Sequence, residues 1–326
     1  MQLCRRRILH LAAGAAALPV VSRLAKAQAY PTRPVRIIVG LAPGGQSDII
    51  ARLLGQWLSE RLGQPFVIEN RTGGGTNIAT EAVVRAPADG YTLLLVGTTQ
   101  AINATLSSKV NFHFLRDIAA VAGVIVGPQV IVVHPSVPAT TVPEFIAYAK
   151  ANAGKLNMAS GGIGTPGHVS GELFKMMTGI DMGHVPYRGA GPALTDLLSG
   201  QVQVYFSPAP AAIEYIRAGR LRALAVTTAA RLAALPDIAT VADSVPSYEA
   251  SIWAGIGAPK ATPAEIVETL NREINAALAD PGMKARLADL GGTAHPGSSS
   301  DFGRFLADET EKWTKVIKFA GLKPIG

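Results

Sequence analysis

Apolar positions recur at two periods along this chain. Val35 to Gly40 form a short apolar run rich in β-branched residues. After Ser47, residues Ile49, Ile50, Leu53, Leu54, Trp57, Leu58 and Leu62 fall at helical spacing. The runs 66–69 and 91–96 read as further strands, with a helix over about 77–85 between them. Strand, helix, strand, helix, strand predicts a parallel sheet covered by helices. The alternation resumes near residue 120. Strands are predicted at 130–133 and at about 156–159, 183–187, 202–206 and 221–226. A helix starts at Thr141, where threonine is the cap and Pro143 lies in the first turn. Others follow at about 167–178, 190–199 and 209–218. The tail returns to an apolar strand at 251–258. A capping-box start, Thr262-Pro263-Ala264-Glu265, then opens a helix to about Ala279. One helix begins at Asp280-Pro281, and an amphipathic one spans about 300–319. No linker separates the two α/β units, which predicts lobes joined through strands. Open α/β sheets bind ligands at the carboxyl ends of their strands, so two facing lobes place those loops around one cleft.

Composition changes this picture mainly at the N-terminus. The chain has 326 residues, 48% of them apolar, enough for two domains with sizeable cores. Arg5-Arg6-Arg7, an apolar run from Leu11 to Val21, and small residues at Ala25, Ala27 and Ala29 are the order of a secretory signal peptide. Cleavage is expected after Ala29, with Ala27 as the near alternative. The Arg5-Arg6 pair is compatible with either Sec or twin-arginine export. The formal charge of +7 belongs mostly to this segment, which holds five of the 30 basic residues and none of the 23 acidic ones. The near-neutral remainder gives no basis for nucleic-acid binding. Cys4, the one cysteine, lies in the same segment, so the mature chain is expected to have no disulfide, thiol nucleophile or cysteine metal ligand. A periplasmic or secreted protein is the expected localisation.

Candidate chemistry centres on glycine. Gly162, Gly164 and Gly167 spell G-x-G-x-x-G, the dinucleotide-binding pattern. A ribose-binding acid should follow the next strand; Asp181 precedes it, and Tyr187 and Arg188 stand after it. The dinucleotide reading therefore fails. Similar glycine-rich loops link strand to helix at 43–48 and 71–77. Three such loops offer backbone N–H groups at helix starts, which suits an anion. There is no P-loop, no G-x-S-x-G elbow, no H-E-x-x-H and no paired-histidine spacing. His113, His134, His168, His184 and His295 are scattered along the mature chain, and His168 draws interest because it opens the helix after the third loop. Asp48 and Ser47 are either site residues or the cap of the first helix. Tyr187 is placed to pack on a ligand, and Arg188 either pairs with a carboxylate or is a solvated rim charge.

The segments "YPTRPVRIIV…APGGQSD", "IENRTGGGTNIATEAVVRAPADGYTLLL", "ASGGIGTPGHVSGELF", "HVPYRGAGPALTDLLSGQVQV" and "LNREINAALADPGMKARLADLGG" resemble the substrate-binding proteins of tripartite tricarboxylate transporters, also called Bug-type extracytoplasmic solute receptors. The likeness runs through essentially all of the mature chain. It implies an α/β, type II periplasmic-binding-protein fold: two α/β lobes, 30–105 with 227–326 and 106–226, closing on a small organic carboxylate. It implies no catalysis, cofactor or metal. Backbone amides and ordered water of the first two loops would hold the carboxylate: Ala42, Pro43, Gly44, Gly45, Ser47 and Asp48, then Gly73, Gly74, Gly75, Thr76 and Asn77. Thr98, Thr99 and Gln100 would face the cleft after the third strand. Ser160, Gly161, Thr165 and His168, with Tyr187, Arg188 and Ser207, would come from the second lobe. Gly40-Leu41 stands where the family often has Pro-Phe, which removes an aromatic wall. Ser207 stands where many relatives have an aspartate, which favours a ligand without an amine. The expected partners are transporter subunits or a sensor kinase ectodomain, with the chain itself a monomer. An exported hydrolase or lyase using His168 or Asp48 is the alternative function. A regulator's effector-binding domain is disfavoured by the signal peptide and by the lack of a DNA-binding helix pair.

Overall fold

The computed structural model describes residues 30–107 and 110–323. The expected signal peptide lies outside the described residues. The first unit runs β1 (Val35–Val39), α1 (Gln46–Leu62), β2 (Phe66–Asn70), α2 (Asn77–Val84), β3 (Thr92–Gly97), α3 (Thr98–Leu106) and a single turn, α4 (Phe114–Asp117). A 16-residue strand, β4 (Ile118–Val133), leads into α5 (Val142–Ala151), β5 (Asn157–Ser160), α6 (Pro166–Thr178), β6 (Gly183–Pro186), α7 (Ala190–Leu198), β7 (Val204–Pro208), α8 (Ala209–Arg217) and β8 (Arg222–Val226). The chain closes with β9 (Ser251–Pro259), α9 (Ala264–Ala279), α10 (Pro281–Asp289), β10 (Thr293–Ala294) and α11 (Ser299–Phe319).

The predicted βαβαβ start is present: β1 pairs in parallel with β2 and β3. β3 then pairs antiparallel with β9, and β9 with β4, giving the order β2-β1-β3-β9-β4. In the second unit β6, β5 and β7 run parallel, and β4 lies antiparallel to both β7 and β8. One strand therefore serves both sheets. Ile118–Pro128 of β4 pair with β9, and Gln129–Val133 pair with β7 and β8.

Only 130–133 of β4 is legible as a strand in the sequence. The earlier half is rich in alanine and glycine and has no polar alternation, because helices cover it. A Cβ at Gly123 would come within 2.3 Å of the His295 ring, so close packing sets the residue size there. α3 was not predicted either; its buried face is mixed polar and apolar, with Gln100 and Asn103 beside Ala101, Ile102 and Leu106.

Two apolar layers fix the first sheet. Ile37, Val39, Leu93 and Leu95 meet Leu54 and Leu58 of α1 and Leu270 and Ile274 of α9. On the opposite face, α11 packs on α3, β4 and α6 and buries Trp313. Glu309 of α11, itself buried, accepts from the indole N–H groups of Trp253 (2.8 Å) and Trp313 (3.0 Å). A buried carboxylate with two such donors is satisfied rather than orphaned. It also fixes the ring of Trp253 at the edge of the cleft.

Candidate functional site

The carboxyl ends of β1, β2 and β3 open onto a cleft that contains two adjoining cavities. One, about 290 Å³, sits at the strand ends between Gly45–Ser47, Val96–Gln100, Ile252, Trp253 and Thr165–Pro166. The other, about 540 Å³, lies beside it between Gly74–Ile78, Asn103, Val110 and Ile163–Thr165. Leu41, Thr76, Thr99 and Thr165 line both. Residues of the second unit thus close over loops of the first.

The first loop is held from beneath by Asp48. Its buried carboxylate accepts from the Gly44 N–H (2.9 Å), Arg52 Nε (2.8 Å) and Nη2 (3.0 Å), and Asn70 Nδ2 (3.0 Å). Asn70 also donates to the Leu41 carbonyl (2.9 Å). The Arg52 hydrogen bond, helped by Gly44 and Asn70 and opposed by burial, holds the Asp48 pKa down at about 2. Gly44, at φ +79°, makes the turn that brings its N–H round to this carboxylate. Asp48 therefore positions the loop and does not line the cavities. Gly45 precedes α1 without any side-chain cap, which leaves the helix N–H groups open to the cleft.

The second loop has the longest run of positive φ angles among the described residues. Gly73, Gly74, Gly75 and Thr76 have successive positive φ angles of 120°, 55°, 61° and 80°. Glycine adopts such angles freely; a β-branched threonine does not, and strain of this kind is stored at functional sites. Thr76 is buried at the start of α2, and among the described residues its Oγ1 has no hydrogen-bond partner. An unpaired buried hydroxyl costs about 1–3 kcal/mol, so it needs an explanation. Gly40 completes the fit: a Cβ there would lie 2.7 Å from Thr76 Cβ. Glycine at position 40 and threonine at 76 thus belong together.

After β3, Thr98 Oγ1 accepts from the Trp253 N–H (2.9 Å), and Gln100 Oε1 accepts from the Gly97 N–H (2.9 Å). Both line the strand-end cavity, but those side-chain atoms are already engaged. Thr99 lines both cavities.

The third loop is internally complete. Ser160 Oγ accepts from the Gly162 N–H (3.1 Å) and is 2.7 Å from His184 Nε2. Thr165 Oγ1 donates to the Gly162 carbonyl (2.7 Å). His168 Nδ1 accepts from the Gly164 N–H (3.1 Å), which puts the ring proton on Nε2. The His168 and His184 rings stack at 3.7 Å and 9°. Burial, then His184 and Lys175, pushes His168 down to about 3; burial, then Lys175, pushes His184 to about 4. Both rings are neutral at ordinary pH. His168 is buried beneath the loop and outside both cavities, so it shapes the loop rather than reaching the cleft.

Of the other second-unit candidates, Ser160 is fully buried at the end of β5 and Gly161 is the first residue of the loop. Tyr187 donates to Asp196 (2.6 Å), while Arg188 is exposed. Ser207 is fully buried in the β4–β7 ladder and donates to the Pro208 carbonyl (3.2 Å). None of these lines either cavity, nor do Ala42, Pro43, Gly44 or Gly73. Sequence reasoning missed Trp253 and Ile252, which looked like ordinary strand residues, and Asn103 on the unpredicted helix. It also missed Gln129, a buried amide on β4 whose Oε1 and Nε2 lack partners among the described residues. Among the described residues, no charged side chain lines the strand-end cavity, and no group of three or more His, Cys, Asp or Glu could hold a metal ion.

Two α/β units sharing strands, with a cleft between them whose strand-end cavity has no charged lining among the described residues, define a two-lobed binding protein. The model of the tripartite tricarboxylate transporter family receptor matches residues 50–322, and the chain belongs to that family. It is 37% identical over 300 residues to Protein BugT of Bordetella pertussis, covering 91% of this chain and 92% of that one. A solved structure of Rpa4515 from R. palustris with adipate is similar at TM-score 0.78 and 38% identity, over 91% of this chain and all of the other. MatC of Rhodopseudomonas palustris with bound malate gives 0.74 and 29%, over 88% and 100%. These relatives are solute receptors, and the chain is accordingly a receptor and not an enzyme. Solved members of the family are periplasmic binding proteins.

Proposed function

We propose that the chain captures a small organic carboxylate in the periplasm by closing its two lobes, and hands it to a tripartite tricarboxylate-type transporter or presents it to a sensor. The observation that carries this reading is the unpaired Thr76 hydroxyl. It is buried at the start of α2 and lines the strand-end cavity together with the uncapped start of α1 and with Thr165–Pro166 at the start of α6. Helix starts attract anions, and a carboxylate supplies the acceptors that the Thr76 hydroxyl and the first N–H groups of α1 lack. Adipate in Rpa4515 and malate in MatC support the ligand class. The proposed contacts are the backbones of Gly45–Ser47 and Gly74–Asn77, the hydroxyls of Thr76 and Thr99, and the Thr165–Pro166 edge from the other lobe. The proposed lobes cross inside β4 near Pro128 and again near Thr227. The first crossing thus moves from residue 106 into β4, because Ile118–Pro128 pair with β9. Closure is a population shift driven by contacts the ligand makes only with both lobes.

A thermal-shift screen of mono-, di- and tricarboxylates tests the reading. Saturable stabilisation without turnover is expected. No response to any carboxylate, with a response to nucleotides, would sink it.

A further inference from the structure

The two inter-lobe crossings meet at one point. Pro128 is the last residue of β4 to pair with β9, and Gln129 is the first to pair with β7. The other crossing leaves β8 after Val226, so Thr227 is its first residue. Here the two crossing segments are bound to each other through one hydroxyl. Thr227 Oγ1 accepts from the Gln129 N–H (2.9 Å) and donates to the Gln129 carbonyl (3.1 Å), which also accepts from the Thr227 N–H (2.9 Å). The Ala250 N–H donates to the Thr227 carbonyl (2.9 Å) on the way into β9. All four main-chain polar groups of Gln129 and Thr227 are therefore bonded.

The Gln129 side chain is the opposite case. It is 1% exposed, and among the described residues neither Oε1 nor Nε2 has a partner. The amide lies against the first turn of α6, where a Cβ on Gly167 would be 3.8 Å from Nε2. Just ahead of that glycine, Thr165 and Pro166 line the strand-end cavity with Thr98, Thr99 and Trp253 of the first lobe. The stranded amide thus sits where the hinge and the inter-lobe contact come together. A buried donor and acceptor without partners disfavour the arrangement that buries them.

We propose that Gln129 is a spring against empty closure: its amide is stranded when the lobes come together and hydrated when they part. This rests on the two-lobed receptor reading above and deepens it. Ligand contacts with both lobes offset the stranded amide. Without ligand nothing does, so the empty receptor stays open. Its partner then meets a closed receptor only when the cleft is loaded.

The test reads the distance between the lobes by double electron–electron resonance. Spin labels are placed at Gln56→Cys on α1 and Thr195→Cys on α7, both exposed, in a Cys4→Ser chain. Gln129→Met and Gln129→Leu remove the amide at nearly constant volume. Without ligand, the parent should give mainly the longer distance. Each variant should raise the ratio of closed to open by roughly fivefold to a hundredfold. Adipate, titrated by calorimetry, should bind the variants tighter by up to the same factor, because the competent state is more populated. An amide that serves only the fold would lower Tm in both variants and leave the distances as they were, which overturns the proposal. So does a parent already closed without ligand, or a variant shifted towards the longer distance. Failure of both variants to fold overturns it too, since the amide would then have partners that the fold needs. If the distances shift as expected and no carboxylate binds, the spring stands and the carboxylate reading falls.

Discussion

Two glycine-rich loops face each other across the cleft and solve the same problem in opposite ways. Gly161–Thr165 is satisfied from within: Ser160, Thr165 and His168 bond its backbone, and the stacked histidines support it. Gly73–Thr76 is left unfinished, with four left-handed residues and an unpaired hydroxyl. The contrast teaches that glycine spacing locates a loop but not its role. The role is written in which polar groups the protein leaves without partners. The complete loop is a wall, and the incomplete one is where the proposed carboxylate would supply what is missing.

The sharpest way to break this contrast is Gly75→Val. Its φ is +61°, and a Cβ there would lie 2.7 Å from Asn103 Nδ2. Carboxylate binding measured by calorimetry should be lost altogether, with destabilisation of about 1–3 kcal/mol. Thr76→Val is next. Removing a hydrogen bond to a charged ligand should weaken binding roughly tenfold to a hundredfold. Because the hydroxyl has no partner in the free protein, Tm should hold or rise; a fall in Tm would mean that Thr76 serves the fold. On the opposite wall, His168→Phe keeps a ring but leaves the Gly164 N–H without its acceptor. It should cost about 1–3 kcal/mol of stability and weaken binding less than Thr76→Val does.

Acid should separate the two loops by pH. The folded-state pKa values of His168 and His184, about 3 and 4, lie below the ordinary 6.5. The unfolded chain therefore takes up protons first, and stability falls as pH drops from about 6.5 towards those values. Asp48, at about 2 against 3.8, holds its contribution above pH 3.8 and loses it only below. Denaturation curves across this range should show the histidine phase first, and His168→Phe should shrink it. The smallest effect belongs to Arg188→Ala. Arg188 is exposed outside both cavities, so affinity should change by less than about threefold.

The sequence made the first three strands and their loops legible, because β-branched runs, helical spacing and glycine clusters are local signals. It placed Gly45, Ser47, Thr76, Thr99 and Thr165 near a cleft, and the structure brings them together there. It could not separate Asp48 or His168 from a ligand contact, because burial and hydrogen-bond partners are set by distant residues such as Asn70 and His184. Trp253 and Asn103 were invisible for the same reason. One sits on a strand and the other on a helix, where a side chain's exposure to a cavity depends on the opposing element. β4 was seen only at its end because alanine and glycine carry little periodic signal, though they are what lets His295 and Phe302 pack so closely on β4 and β9.

β4 also bears on how the molecule is made. It is interior to the second sheet, between β7 and β8, and it lies beside β9 in the first. Neither lobe can unravel without tearing a strand from the other. For the proposed lobes, which open and close on ligand, the shared strand predicts a single melting transition, since neither half taken alone has a complete sheet to fold around.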